Sequence, residues 1–448
     1  MHSFLKQWYT VHDTEIKDLA RHIFDFAETA DEEFKSMNLF SSYLEENGFC
    51  VEKNVGNTPT AFRAVWGNGA PVIGYIAEYD ALPGLNQKGG APYFHGDTTK
   101  NGHGCGHNLL GSASVGAAVA LKNMLEENKL SGTVVLYGTP SEETLKGKIA
   151  MARNGCFKEL DCALSWHPDT VNRTGDMVYQ AMDSLQISFY GTSSHAALSP
   201  ELGRSALDAA ELTNVGINYL REHVSSDIRI HYSYINAGDK PNIVPEFAKV
   251  WYFIRGKTRD TVENATSRVI KIAKGAAMMT ETTTKFEFLT HGYETLVNFT
   301  LCDEVYRIMC EIGAPQFGEN ALEFAKELKK NLPELNLSSC YSDSIIPPRD
   351  TVEYICGSSD FSDISQIVPS TYFFAACAPM GLPLHHWSFA ASAGSPVGES
   401  GMLFASKVLA ECGMSLIDDP ALLAKAKEEF KQSSKGWEYP ETKNFEKE

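Results

Sequence analysis

The sequence predicts an α/β fold into which a second, ferredoxin-like α+β domain is inserted. Through residues 1–182, apolar runs of strand length alternate with helical segments, which is typical of a sheet covered by helices on both faces. Between 183 and 293 the order becomes β-α-β-β-α-β, the order of a split βαβ domain. We expect 294–448 to return to the first domain, because 371–376 again has the composition of a buried strand.

The elements of the first domain follow from the spacing of its apolar residues. Between about 13 and 48 these residues recur at helical spacing, beginning with Ile16 and Leu19, and predict an amphipathic helix. Short apolar runs predict buried strands, and a segment rich in Ala, Leu and Val predicts a helix packed on them. The strands are 71–76, 132–137, 162–166 and 371–376, and the helix is 109–128. The tail after about 430 is polar, and we expect it to fray.

The inserted domain is predicted from strand-like runs that alternate with two helical segments. Its strands are 186–191, 228–235, 249–255 and 285–289, and its helices are about 203–222 and 260–279. A single inserted domain explains why the order of strands and helices changes between 183 and 293, because the predicted strand 371–376 resembles the strands before the insertion.

The composition limits the partners of the chain. Its 448 residues are 43% hydrophobic and carry a formal net charge of −18. No block of Lys and Arg is present, so we expect no nucleic-acid partner, because such surfaces need clustered cations. No run of about 18 or more apolar residues occurs, so we expect no membrane span. The ten cysteines are scattered, without a CxxC pair, which indicates a reducing, cytoplasmic location.

The most informative local feature is the glycine-bracketed loop HGCGHN at 103–108. The thiolate of Cys105 and the imidazole of His107 are two residues apart and can bind one metal ion. The same loop also suits an ordinary glycine-rich turn before a helix. Taken alone, it does not decide between the two interpretations.

Three further segments carry metal-binding side chains near predicted strand ends. Glu142 and Glu143 follow one strand, His167 follows another, and His385-His386 stands in a Gly/Pro-rich loop after the last. Each has a simpler interpretation, as an exposed Glu pair, a core His or a loop His. Sites in open α/β sheets form outside the carboxyl ends of strands, and the four segments together favour a metal site.

Two adjacent glutamates can take different roles at such a site. Neighbouring side chains diverge in a turn, so one glutamate can bind metal while the other faces the substrate. A metal lowers the pKa of its bound water towards about 7, and a carboxylate can accept that proton and later protonate a leaving amine. The sequence has no G-x-S-x-G elbow, P-loop or G-x-G-x-x-G after a strand, so the pattern favours metal-dependent amide hydrolysis.

The inserted domain has candidate residues of its own. His195 stands in a loop of small residues, Asn242 in a rigid PNIVP turn, and Arg255 at the end of a strand. His195 or Asn242 can polarise a scissile carbonyl, and the fork of donors on Arg255 can bind a substrate carboxylate. The alternatives, a solvated loop histidine and a surface ion pair, stay open.

Eight segments, taken in order along nearly the whole chain, resemble a known family. They are AEYDALPGL (77–85), GHGCGHNLLGSA (102–113), TPSEE (139–143), WHP (166–168), GTSSHAALSPELGRSALDA (191–209), PNIVPEFAKVWYFIR (241–255), SSDFSDIS (358–365) and PLHHW (383–387). The chain thus resembles the dinuclear zinc or manganese aminoacylase/carboxypeptidase superfamily of metallopeptidases, and looks most similar to its branch of aminobenzoyl-glutamate hydrolase-like amidohydrolases. The resemblance implies a phosphorylase/hydrolase-like catalytic domain with a mixed sheet, in two parts (1–182 and 294–448). It also implies a lid and dimerisation domain at 183–293.

The resemblance further implies the roles of individual residues. The metal ligands it implies are Cys105, His107, Glu143, His167 and His385. Glu142 matches the general base of the family, and Asp80 matches an aspartate that orients the metal site. Glu78 stands where the family has a histidine, so the relative filling of two metal positions stays open. His385 is preferred to His386 because it follows Pro-Leu.

Cofactors, partners and reaction follow from the same resemblance. We expect two divalent metal ions, zinc or manganese, and a small-molecule amide substrate contacted by Asn242 and Arg255. His195 would serve the partner subunit of a homodimer formed through the inserted domain, and a hetero-oligomer with a related subunit is the other assembly. The implied reaction is hydrolysis of an N-acyl or N-aroyl amino acid resembling aminobenzoyl-glutamate. The alternatives are a dipeptidase, a general N-acyl-amino-acid deacylase, and a non-catalytic partner subunit.

Overall fold

The computed structural model describes residues 2–440 and divides them into two compact units. The first unit comprises 2–177, 296–353 and 364–440, and the second comprises 178–295 and 354–363. The second unit is slightly longer than the expected 183–293. It gains 354–363 because the backbone of that segment pairs with 178–180: the Ile355 N–H donates to the Val178 carbonyl, and the Gln180 N–H to the Gly357 carbonyl.

The chain forms twelve α-helices within the described residues. They are α1 (Ser3–Phe26), α2 (Phe34–Glu46), α3 (His107–Asn128), α4 (Gly147–Arg153), α5 (Ala206–Leu220), α6 (Arg259–Met279), α7 (Phe299–Ile312), α8 (Glu319–Asn331), α9 (Phe361–Ser365), α10 (Trp387–Ala393), α11 (Pro396–Asp418) and α12 (Pro420–Ser434). Helix α12 continues to Ser434, so the chain is helical past about 430, where fraying was expected, and residues 441–448 of that tail lie outside the described part of the chain.

Fourteen strands are present in the same part of the chain. They are β1 (Cys50–Lys53), β2 (Phe62–Asn68), β3 (Val72–Ala77), β4 (Gly132–Gly138), β5 (Cys162–Asp169), β6 (Asn172–Arg173), β7 (Met177–Val178), β8 (Ala181–Tyr190), β9 (Arg229–Asn236), β10 (Phe247–Gly256), β11 (Thr283–Gly292), β12 (Ile345–Ile346), β13 (Glu353–Tyr354) and β14 (Ser370–Ala376). The predicted strands of the first domain correspond to β3, β4, β5 and β14.

The first unit is built on an eight-stranded mixed sheet with the order β1-β2-β4-β3-β5-β14-β6-β12. The four strands β4, β3, β5 and β14 are parallel neighbours, so their carboxyl ends meet at one edge of the sheet. The predicted α/β fold with a mixed sheet is confirmed, and the edge predicted to carry the site exists.

The prediction of one helix over 13–48 is wrong, because the chain forms α1 and α2 with a connection at 27–33. Ala27 ends α1 in a left-handed conformation (φ 42°), and its N–H donates to the Ile23 carbonyl. Asp31 is also left-handed (φ 70°). Apolar periodicity does not reveal such a break, because both helices keep an apolar face towards the same core.

Helices α3 and α11 form the centre of the first unit. Helix α3 packs against α1, α11 and the sheet, and most of its residues, chiefly small and aliphatic ones, are buried. Helix α11 is long and apolar enough to cross a membrane by length and composition alone, but 78% of its most apolar 18-residue window is buried. Its apolar character therefore matches its place in the core.

The second unit is a four-stranded antiparallel sheet with the order β11-β8-β10-β9, covered by α5 and α6. Both helices have a side-chain cap: Ser205 accepts the N–H of Asp208, and Thr258 forms a capping box with Thr261. The element order β-α-β-β-α-β is the split βαβ arrangement. The role of this unit as a lid and in dimerisation stays a prediction.

Candidate metal centre

The loop with Cys105 and His107 leads directly into α3, whose first residue is His107. Gly106 precedes it with φ 81°, and a Cβ atom at this position would lie 3.1 Å from the side chain of Pro168. A glycine is needed here because the backbone is left-handed and the neighbouring strand β5 approaches closely. The turn therefore directs the side chains on both sides of Gly106 towards the carboxyl end of β5.

Cys105 and His167 meet at this point. The sulfur of Cys105 lies 3.3 Å from Nε2 of His167, while the Nδ1–H of His167 donates to the Pro168 carbonyl at 2.7 Å. That bond fixes the tautomer in which Nε2 offers a lone pair. Burial lowers the pKa of His167 to about 3, so the ring is neutral, as a metal ligand requires. His167 lies within β5 rather than after it, since the strand continues to Asp169.

His107 is oriented by Asp80, which follows β3. The Nδ1–H of His107 donates to Oδ1 of Asp80 at 2.9 Å, and the other oxygen of Asp80 accepts the backbone N–H of Glu143 at 2.9 Å. Burial opposes ionisation of Asp80, but the neighbouring His107 outweighs it and holds the pKa of the carboxyl below its usual range. The carboxylate thus connects the β3 and β4 loops and directs Nε2 of His107 away from itself.

Glu142 and Glu143 begin a short 3-10 turn, Glu142–Thr144, immediately after the loop that follows β4. Oε2 of Glu143 lies 3.3 Å from Nε2 of His385, and burial raises the pKa of Glu143 to about 7. Glu142 instead approaches His107 and Glu78, with ligand atoms of the three within 4.8 Å of one another. The two neighbouring carboxylates therefore diverge into different groups.

The structure distinguishes the two histidines of the PLHHW segment. The backbone N–H of His385, which has φ 58°, donates to the Gly104 carbonyl at 2.9 Å, and its ring reaches Glu143. The ring of His386 caps α10, where its Nδ1 accepts the N–H of Ser388. His385 therefore lies at the candidate centre, whereas His386 has a structural role.

The donor set fits divalent metal ions. Three groups have ligand atoms that lie within 4.8 Å of one another, and they are Cys105–His107–His167, Cys105–Glu143–His385 and Glu78–His107–Glu142. Across residues 2–440, Nε2 of His107 and Oε1 of Glu143 have no hydrogen-bond partner despite their burial. Buried polar atoms normally have partners, and a mixture of imidazole, thiolate and carboxylate donors suits zinc and related ions.

The candidate residues of the second unit lie together in one loop region. His195 forms a backbone bridge with Ile243, and the Ala196 N–H donates to the Asn242 carbonyl at 3.0 Å. Nδ1 of His195 accepts the backbone N–H groups of Ala197 and Leu198. The ring is thereby held in one orientation, with Nε2 as the donor.

Arg255 does not form the ion pair that was its alternative interpretation. Its Nε donates to the sulfur of Met182 at 3.1 Å, and its guanidinium stacks over Phe253 at 5.3 Å. No carboxylate within residues 2–440 pairs with it. Burial lowers the pKa of Arg255 from its usual range. The residue is a half-buried cation without an anionic partner in the described chain.

Two buried charged residues beside the centre are absent from the prediction made from sequence. Lys148 on α4 lies 2.9 Å from Glu78, with both side chains inaccessible to solvent. Glu33, which directly precedes α2, accepts the backbone N–H of Ser141 at 2.9 Å. A lysine within the apolar run KIAMA is a weak signal for Lys148. Nothing in the spacing of its neighbours points to Glu33.

Comparisons with known proteins identify the family of the chain. The model of the family described as Peptidase family M20/M25/M40 matches residues 74–390. The subunit of p-aminobenzoyl-glutamate hydrolase designated B, from Escherichia coli K12, is 38% identical over 442 residues, which cover 93% of this chain and 92% of that protein. The Xaa-Arg dipeptidase of Mus musculus is 29% identical over 429 residues, covering 92% of this chain and 88% of the dipeptidase.

The fold also matches a solved structure. The crystal structure of a dinuclear metal-binding M20 peptidase from Bacillus subtilis has a TM-score of 0.61 and 16% sequence identity, covering 91% of this chain and 99% of that one. At this identity the similarity concerns the fold alone. The family model and the Escherichia coli relative carry the similarity in sequence.

Proposed function

Because the chain belongs to peptidase family M20/M25/M40 and is a metal-dependent amidohydrolase or peptidase, we propose that it hydrolyses N-acyl or N-aroyl amino acids resembling aminobenzoyl-glutamate. The observation that carries this proposal is the meeting of metal-binding side chains with Glu142 at the carboxyl ends of parallel strands. The name of the relative from Escherichia coli supports the aroyl amino acid as substrate class.

Two divalent ions, zinc or manganese, are the proposed cofactors. The residues that would hold them are Cys105, His107, Glu143, His167 and His385. When bound, such ions polarise the amide carbonyl and supply a water molecule that ionises near neutral pH. The buried Nε2 of His107 and Oε1 of Glu143, which have no hydrogen-bond partner within residues 2–440, support this assignment, as does the dinuclear metal binding named for the Bacillus subtilis structure.

The residues of the chain supply the proton transfers and the orientation. Glu142 is the proposed general base, because its carboxylate diverges from that of Glu143 and reaches the side of His107. It takes a proton from water and passes it to the leaving amine. Asp80 holds the ring of His107 by a 2.9 Å hydrogen bond, and it holds the turn of Glu143 through that residue's N–H.

Recognition of the substrate is assigned to the second unit. Arg255 has no carboxylate partner within the described residues, so its guanidinium is available for the carboxylate of an amino-acid product. His195 and Asn242 are proposed to polarise the scissile carbonyl.

We place His195 in the active site of a partner subunit of a homodimer formed through the lid and dimerisation domain. The Escherichia coli relative is named as one subunit of its hydrolase, which supports a hetero-oligomer as the other assembly, and the cytoplasm is the proposed location.

A dipeptidase is the second candidate function, because the chain is 29% identical to an enzyme named Xaa-Arg dipeptidase. The two functions share the metal centre and differ in the group on the acyl side of the amide. Retention of Glu142 beside the donor groups argues against a non-catalytic partner subunit.

The experiment that tests the proposal is a substrate panel with purified protein loaded with zinc or manganese. It compares N-aroyl amino acids, N-acyl amino acids and dipeptides by kcat/KM, with a Glu142→Ala protein as the control. Preference for N-aroyl or N-acyl amino acids supports the proposal, and preference for dipeptides supports the second candidate. Turnover of none of these amides by wild-type protein contradicts both.

A further inference from the structure

The connection between α1 and α2, residues 27–33, is hydrogen-bonded to two of the loops at the metal centre, those after β3 and β4. On one side, the Ala81 N–H donates to the Glu28 carbonyl at 2.7 Å, and Thr29 forms a backbone bridge with Ala81. Ala81 directly follows Asp80. On the other side, Glu33 contacts Ser141, which directly precedes Glu142. One short segment therefore joins the β3 and β4 loops from outside the sheet.

Glu33 is completely buried, with 0% of its surface exposed. Its Oε1 accepts the backbone N–H of Ser141 at 2.9 Å, and its Oε2 accepts the hydroxyl of Thr60 at 2.8 Å. Both oxygens thus have a donor. A buried carboxylate is expensive to maintain unless it is bonded in this way, and the bond to Ser141 reaches the backbone of the catalytic turn itself.

Ser141 is in an unfavourable backbone conformation. Its φ of 59° is left-handed, which costs a non-glycine residue roughly 1 kcal/mol or more and persists only when its surroundings enforce it. Besides the bond to Glu33, its hydroxyl donates to Oδ1 of Asp31 at 2.9 Å and accepts the Asp31 N–H at 3.0 Å. The conformation of Ser141 sets the direction in which the chain enters Glu142.

We propose that Glu33 is a positioning residue that fixes the carboxylate of Glu142 through the backbone of Ser141. The proposal rests on the role of Glu142 as general base. A displacement of a reacting group by about 1 Å can reduce the rate about 100-fold. Loss of the bond between Glu33 and Ser141 is therefore expected to lower kcat without removing the donors for the metal ions.

The test compares four variants of the metal-loaded full chain. Glu33→Ala removes the hydrogen-bond acceptor, and Glu33→Asp shortens the side chain so that its carboxylate no longer reaches Ser141. Glu33→Gln keeps an oxygen that can accept the N–H of Ser141. The matched control is Glu28→Ala in the same segment: the Glu28 carboxylate accepts the N–H groups of Lys35 and Ser36 on α2. These hydrogen bonds of the Glu28 carboxylate go to α2 and not to Ser141, so we expect its loss to affect stability alone.

We expect kcat to fall about 10- to 100-fold in Glu33→Ala and Glu33→Asp, with KM and metal content near wild type. Glu33→Gln should recover most of kcat, and Glu28→Ala should retain it while lowering Tm. Where Glu33→Ala does not fold, the contrast between Glu33→Asp and Glu33→Gln gives the same answer. Wild-type kcat in Glu33→Asp, or equal losses in Glu33→Gln and Glu33→Asp, overturns the proposal.

The same measurements separate this proposal from the proposed function. A Glu142→Ala protein with wild-type turnover contradicts the role of Glu142, whatever Glu33 does. An inactive Glu142→Ala protein beside a fully active Glu33→Ala protein contradicts the positioning role alone.

Discussion

The Nζ of Lys148 lies 2.9 Å from Oε1 of Glu78, and neither side chain is accessible to solvent. The other oxygen of Glu78 lies 3.5 Å from Nε2 of His107. A buried cation thus compensates a carboxylate at the edge of the candidate metal centre. The pair joins α4 to the loop after β3, and the partners are 70 positions apart in the sequence.

Replacement of Lys148 by Met should destabilise the protein strongly. Removal of one partner of a buried ion pair leaves an uncompensated charge and costs about 3–5 kcal/mol. We expect this loss of unfolding free energy in metal-free protein by urea denaturation, and recovery of part of it in Lys148→Met/Glu78→Gln. Lys122→Met, which removes a partly exposed pair with Glu126, is the control and should cost about 0.5 kcal/mol. Equal losses of unfolding free energy in Lys148→Met and Lys122→Met would contradict a larger contribution from the buried pair.

Replacement of Glu142 by Ala should abolish turnover while metal content stays near wild type. The residue is the proposed base and is not among the five proposed ligands. Elemental analysis and kcat on the best substrate of the panel check both halves of this prediction. Unchanged activity would refute the mechanistic assignment.

Replacement of Cys105 by Ala should lower metal stoichiometry. Its sulfur is shared by two of the three donor groups, so its loss weakens both. Cys162→Ala is the matched control, because Cys162, which lies in β5, is also a buried free cysteine and belongs to none of these donor groups. Elemental analysis of both proteins after dialysis gives the result, and full occupancy in Cys105→Ala removes the residue from the ligand set.

The stability of the protein should fall as pH rises from about 4.5 to about 7 through ionisation of Glu33. Burial and the charge of Asp80 raise the pKa of Glu33 from 4.5 to about 7. The contribution of Glu33 to the free energy of unfolding is fully present below the unfolded pKa, where the carboxyl is protonated in both states. It is lost as pH rises from the unfolded pKa through the folded pKa, because the unfolded chain ionises while the folded chain stays protonated. The difference between wild type and Glu33→Gln should change by roughly 3 kcal/mol over this window. Parallel stability curves for the two proteins would exclude a raised pKa.

Replacement of His195 by Ala should leave metal content intact and remove most activity. If His195 serves a partner subunit, heterodimers of His195→Ala and Glu142→Ala subunits should regain part of the turnover, because one complete site is restored. Co-expression with two affinity tags isolates the mixed species. Inactive heterodimers of demonstrated composition would contradict action across a dimer.

The sequence predicted the strands of the sheet and the metal-binding side chains near their ends, because both can be recognised within short stretches of sequence. Strand-length apolar runs predicted β3, β4, β5 and β14. The short segments that contain Cys105, Glu143 and His167 could be recognised because these are residue types that bind metal ions. The break between α1 and α2 was missed, since it depends on left-handed Ala27 and Asp31 rather than on apolar spacing.

The sequence by itself determined the fold class, the ferredoxin-like element order and the residue types of the centre. Only the tertiary structure decided which side chains meet: Lys148 pairs with Glu78, and Glu33 holds Ser141. These contacts join residues far apart in the chain. They depend on the register of parallel strands and on how helices pack over the sheet, which no local pattern specifies.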